Sequence, residues 1–193
     1  MWFTLLLAAV PKPEADCSFD RAALLALGEQ EFDQDLTGGW RALEQRGCRA
    51  EAADLLRDYR EAKPRKNSSI LFWHEGQMRA FLSETAAAIA LFNLARKPPA
   101  DDGIGWNHYV DGSIAFLRHD RPALQRARDR LAALPKPRDL PSFKINGQDV
   151  PIDWPLNLNV LDGFLKCFDR PYAEAYATRA CTAQKTVVIP DKR

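Results

Sequence analysis

Three histidines, two methionines and no closely spaced pair of cysteines leave this chain little with which to hold a metal or run redox chemistry. No C-x-x-C is present, which removes the usual zinc and thiol-redox spacings. No H-E-x-x-H, G-x-S-x-G or glycine-rich phosphate loop occurs either, so no motif asks for a cofactor or a metal. Charge of one sign is also lacking. With 27 Lys and Arg against 26 Asp and Glu, the net charge is +1, and the concentrated basic field of a nucleic-acid binder is absent. Long apolar runs are missing: the one run, Met1 to Val10, is followed by Pro11-Lys12-Pro13-Glu14-Ala15. It falls short of the roughly 20 residues a membrane helix needs, so no stable membrane insertion is expected. Residues 1–15 read as a signal peptide or its remnant, although no basic residue precedes the run and the exit is a poor A-x-A site. A buried N-terminal helix is the competing reading.

What remains is an ordinary globular composition, 46% apolar and 27% charged over 193 residues, enough for one domain over 16–193 without a stabilising metal. Cys17, Cys48, Cys167 and Cys181 form an even set, one pair near each end. Behind an export signal this points to disulfides and to a periplasmic or secreted location. Three connectivities exist. Pairing Cys17 with Cys48 and Cys167 with Cys181 is favoured, because each bond then staples an end of a helical array, where fraying is easiest. Four free thiols in a cytosolic protein are the alternative.

The chain carries an internal period. Phe81-Leu82 through Ile89 matches Phe116-Leu117 through Leu124 at an offset of 35, in the Phe-Leu pair, the small Ala and the following aliphatic. A third copy runs from Leu43 to Ala53, with Ala52 opposite Ala88, and a fourth from Phe164 to Ala173, where Asp169-Arg170-Pro171 repeats Asp120-Arg121-Pro122. Each copy predicts a helix, a polar turn and a second helix. Apolar residues recur at three and four after the turns: Leu55, Leu56, Tyr59; Ile89, Phe92, Ala95; Leu124, Ala127, Leu131. Pro122 and Pro171 stand where a first helical turn tolerates proline. Breakers at 64–69, 98–105 and 135–141 separate the units. Residues 137–155 interrupt the pattern, and Asn146-Gly147 between short alternating segments predicts a small β-hairpin near 143–150, inserted before the fourth helix pair.

Residues 69–102 resemble a tetratricopeptide repeat, with Gly76, Ala88, Phe92 and Ala95 at the family's small, small, aromatic and small positions and Pro98-Pro99 near its closing proline. The likeness extends more weakly over 36–135: Asp111 and Trp40 stand where the first small residue belongs, and Arg79 replaces the family's tyrosine. The expected fold is therefore all-α, a solenoid of three to four helix hairpins. The resemblance implies that the first helices line a concave surface, placing Trp73, His74 and Gln77 beside His108, Tyr109 and Gly112. Aromatic anchors among hydrogen-bonding side chains suit capture of a protein or peptide.

The expectation is thus a non-catalytic binding module of the cell envelope, of which an inhibitor or immunity-type partner protein is a specialised form. A subunit of an envelope assembly is a structural alternative. The catalytic alternative rests on His108 and Asp111, three apart on one helix and so on one face. His74 with Glu75, adjacent in sequence, diverges, and His119 with Asp120 falls in a turn. A metal at His74, Glu75, His108 or Asp111 would need tighter spacing. The basic run from Arg118 to Arg138, interleaved with Asp120 and Asp129, reads as a solvated face.

Overall fold

Three chain reversals share one backbone geometry. At Gly47, Ser83 and His119 the chain enters the left-handed region, with φ of 88°, 64° and 56°. The next N–H, on Cys48, Glu84 or Asp120, donates to a carbonyl five residues back, on Leu43, Arg79 or Ala115, at 2.9 Å in each case. The left-handed residue itself donates to Glu44, Ala80 or Phe116. This is a Schellman ending, which satisfies carbonyls that a helix terminus leaves open. The next helix starts immediately. At the third turn the Asp120 carboxylate also accepts from the Ala123 N–H, and Pro122 occupies the first turn.

The computed structural model describes residues 15–63, 69–138, 143–145, 148–150 and 153–182; the apolar run at 1–10 and its exit through Glu14 lie outside them. The helices are α1 (Arg21–Ala26), α2 (Arg41–Gln45), α3 (Arg49–Ala62), α4 (Ser69–Phe81), α5 (Thr85–Leu94), α6 (Trp106–Leu117), α7 (Arg121–Ala132), α8 (Leu158–Lys166) and α9 (Tyr172–Ala177), with a π-helical turn at Gln30–Gln34. From α2 onward each packs on the next, and α9 returns to touch α4. The fold is all-α apart from two short strands, β1 (Phe143–Ile145) and β2 (Gln148–Val150), which pair antiparallel with Phe143 opposite Val150. The Asn146-Gly147 link between them is outside the described residues. No described helix is long and apolar enough to cross a membrane.

The turns stand 36 residues apart, one more than the offset of 35 taken from the Phe-Leu pairs. Two adjacent apolar residues at a helix end can be matched in either register, whereas the left-handed residue fixes it. In the corrected register Ala52, Ala88 and Leu124 coincide, as do Leu55, Leu91 and Ala127, and Tyr59, Ala95 and Leu131, and all nine are buried. The correction also moves Gly112, rather than Asp111, to the position of Gly76.

Helix α4 joins two apolar clusters. Leu71 and Met78 pack with Phe32, Leu43, Leu55, Leu56 and Tyr59 on the N-terminal side, while Trp73 and Ala80 pack with Phe92, Tyr109, Phe116 and Phe164 on the other. The contact of α4 with α5 is close because Gly76 lacks a side chain: a Cβ there would lie 2.7 Å from the Phe92 ring, which is fully buried. Alanine would gain about 1 kcal/mol of helix propensity but would overpack a site that has nowhere to yield, at about 1–3 kcal/mol. Gly76→Ala is therefore expected to lower stability by about 1 kcal/mol, read as a shifted midpoint in urea at unchanged slope.

Two disulfides close the ends as the cysteine positions suggested, Cys17 with Cys48 and Cys167 with Cys181. Such bonds persist in oxidising compartments.

Candidate functional site

The resemblance placed the binding surface on the first helices, at Trp73, His74, Gln77, His108 and Tyr109. The structure buries two of these residues in the core and lays its last described helix, α9, against α4. Trp73 and Tyr109 are 3% and 2% exposed, with ring centroids 4.7 Å apart, and Trp73 stacks on Phe92. They are core residues. Helix α9 lies across α4: Tyr172 and Tyr176 meet Phe81 edge-on at 5.4 and 5.6 Å, and Tyr176 is the polar neighbour of both Gln77 and Tyr109. Burial raises the Tyr109 and Tyr172 hydroxyls well above their ordinary pKa of 10.0, so both stay neutral.

His108 and Asp111 do not form a pair. The Asp111 carboxylate is held by Arg96 at 2.8 Å, with Arg130 at 3.8 Å. Helical spacing put the two residues on one face, but Arg96, just past the end of α5, and Arg130 of α7 claim the acid. These arginines belong to the basic face, where Arg118 and Arg126 join them around a shallow cleft of about 230 Å³. The remaining acid there, Asp120, is used as the α7 cap. His119 is exposed in its turn, stacked on Phe168.

His74 does have an acid, from 41 residues upstream. Its Nδ1 lies 2.6 Å from Asp33 Oδ1, and Asp33 also accepts from Trp40 Nε1 at 2.9 Å and from the Gln34 amide. The π-helical turn makes this contact available. It buries consecutive residues on two sides, Phe32 stacked on Tyr59 at 3.6 Å and Asp33 beneath His74. Arg41 completes the group, with Nη1 3.6 Å from Asp33 and Nη2 3.5 Å from His74 Nε2. Burial lowers the His74 pKa and Arg41 lowers it further, outweighing Asp33, so the ring is neutral at pH 7. Burial alone would raise the Asp33 carboxyl. The hydrogen bond and charge of His74, the Trp40 N–H and the Arg41 charge bring it below its ordinary 3.8.

Above this group opens a cleft of about 340 Å³ between α2, α4 and α9, lined by Trp40, Arg41, Arg49, His74, Gln77 and Tyr176. That size lies at the lower end for small-molecule pockets. No hydroxyl or thiol nucleophile other than the tyrosine lines it. Both His74 nitrogens face protein groups, which makes the ring a strut between Asp33 and Arg41. The one cluster of metal-ligand side chains among the described residues, Cys17, Cys48 and Glu51, contains a disulfide, so its sulfurs are spent.

Of the expected surface residues, His74 and Gln77 reach this cleft, while Trp73 and Tyr109 lie beneath it and His108 stands elsewhere. Sequence reasoning missed Asp33, Trp40, Arg41, Arg49 and Tyr176. Asp33 and Tyr176 are brought in by long-range packing that no local spacing signals. No protein-family model, curated protein or solved structure matches the chain.

Proposed function

We propose that this chain is a non-catalytic binding module of the periplasm or the secreted fraction, a tetratricopeptide-like array that receives its ligand in the cleft between α2, α4 and α9. The observation that carries the reading is the seating of α9 on α4. With α9 against α4, the cleft beside Tyr176 is a concavity in which aromatic and hydrogen-bonding side chains converge. Its lining is largely polar and charged, with Arg41, Glu44, Gln45, Arg49, His74 and Gln77 beside Trp40, Met78 and Phe81, which suits a polar ligand. The two disulfides support an oxidising compartment. The strut role of His74 and the capture of Asp111 by arginine favour binding over catalysis.

Ala177 ends α9, is exposed, and borders the cleft. Ala177→Trp is expected to fill the space without touching the core. In a ligand-observed NMR screen of a fragment library, compounds that bind the native protein should lose binding to the variant, with the thermal midpoint unchanged. Hits that survive in Ala177→Trp, or that the native protein converts to product, would reject the assignment.

A further inference from the structure

We infer that the ligand taken by this cleft carries a carboxylate, clamped between Arg41 and Arg49, with an apolar body against Met78 and Phe81. The inference rests on the cleft being the binding site.

Four guanidinium groups elsewhere in the molecule meet carboxylates at close range: Arg60 with Glu75 at 3.0 Å, Arg79 with Asp54 at 2.7 Å, Arg96 with Asp111 at 2.8 Å and Arg128 with Asp162 at 2.7 Å. The two cleft arginines differ. The nearest carboxylate stands 3.6 Å from Arg41 and 3.7 Å from Arg49, beyond the range of a charge-assisted hydrogen bond. Arg41 Nη1 and Arg49 Nε are buried with no hydrogen-bond partner among the described residues. Those two atoms have no accessible surface of their own, so a ligand meets the remaining guanidinium edge of each, on side chains 18% and 32% exposed.

Ring contacts hold both groups in place. Arg41 lies over the Trp40 ring and Arg49 over Phe81, each 4.3 Å from the centroid. A guanidinium seated by its face keeps its N–H groups directed along its edge, the geometry that receives a planar carboxylate through two parallel bonds. The charges around the space are Arg41, Arg49 and Glu44, with Asp33 behind and His74 neutral. Asp33 is already committed to His74 and Trp40, which leaves Glu44 as the one acid competing for the arginines from within the cleft. Burial also holds Arg41 below its ordinary pKa despite Asp33, the direction expected of an undercompensated cation.

Isothermal titration of the full chain tests this with 3-phenylpropanoate and its uncharged amide, and in parallel with Gly-Gly-Phe as free acid and as C-terminal amide. The acids are expected to bind and the amides to bind about tenfold or more weakly, because hydrogen bonds to charged groups carry the difference. The tighter of the two acids tells whether the carboxylate comes from a small molecule or from a chain terminus. Arg49→Gln should weaken the acid about tenfold and leave the amide unchanged. Glu44→Gln should tighten it, a gain that a purely steric role for Glu44 would not give. Arg49 and Glu44 are partly exposed and loosely paired, so both variants should melt close to the native protein. Amide bound as well as acid, with both lost in Ala177→Trp, would overturn the carboxylate and leave the cleft standing. Acid binding that ignores Ala177→Trp would overturn the cleft itself. No binding of either acid at millimolar concentration would overturn the proposal.

Discussion

Asp33→Ala is expected to cost about 3–5 kcal/mol of folding stability, the loss seen when one partner of a buried charge pair is removed. Asp33 is fully buried and serves four neighbours at once: it accepts from His74, Trp40 and Gln34 and compensates Arg41. Alanine would strand two buried N–H donors, at about 1–3 kcal/mol each, and leave the Arg41 charge without its nearest anion. The outcome reads directly in urea unfolding, where the midpoint should fall at constant slope. A loss below about 1 kcal/mol, within the range of surface substitutions, would mean that the network is not formed in solution. Asp33→Asn separates the causes, since it keeps one acceptor oxygen while removing the charge.

The same group sets an acid limb in two stages. The folded pKa of His74 lies below 6.5, so between that value and its folded pKa the unfolded chain binds more protons, and stability falls as pH falls from 6.5. The folded pKa of Asp33 lies below 3.8, so its contribution is present above 3.8 and is lost as pH falls further. Glu75 runs the other way. Burial raises its pKa above 4.5 in spite of Arg60, so the folded state holds its proton longer and stability declines as pH rises from 4.5 through that range. His74→Gln should remove the limb that starts near pH 6.5 and weaken the lower one, because the His74 hydrogen bond and charge lead the interactions that hold Asp33 down.

The parts of the fold written in short-range chemistry were legible. Gly47 marks a Schellman turn, Asp120 and Pro122 mark a helix start, and the apolar residues after each turn gave the buried stripe. The end-stapling disulfides followed from cysteine position. The register was misread by one because Ser83 and His119, two of the three left-handed residues, are not glycine and give no sign of positive φ in sequence. The candidate site was half legible, through His74 and Gln77, since helical spacing predicts which residues share a face. It does not predict what covers that face. Two contacts decided this: Asp33 reaching His74 across 41 residues, and α9 folding back so that Tyr172 and Tyr176 lie against α4. Helix α1, six residues long with none buried, left no periodic trace.

The second large effect falls on α9. Replacing both Cys167 and Cys181 by serine is expected to cost about 3 kcal/mol, because the bond closes a loop over a separation of 14 residues, and to lower the midpoint of melting by about 6–12 °C. The loss should be local first. A helix of six residues has no stability of its own. The disulfide therefore holds down a segment that depends on its packing against α4 and α8. Hydrogen exchange should rise towards the free-peptide rate over Tyr172–Ala177 while α3 and α4 stay protected. With Tyr176 released, the cleft loses a wall, so 3-phenylpropanoate binding should fall in this variant. Cys17→Ser with Cys48→Ser should cost a comparable amount, over a separation of 31 residues, yet leave exchange in α9 unchanged. Equal exchange of α9 with and without its disulfide would show that packing alone seats the helix, and the groove coverage would then be independent of the redox state of the compartment.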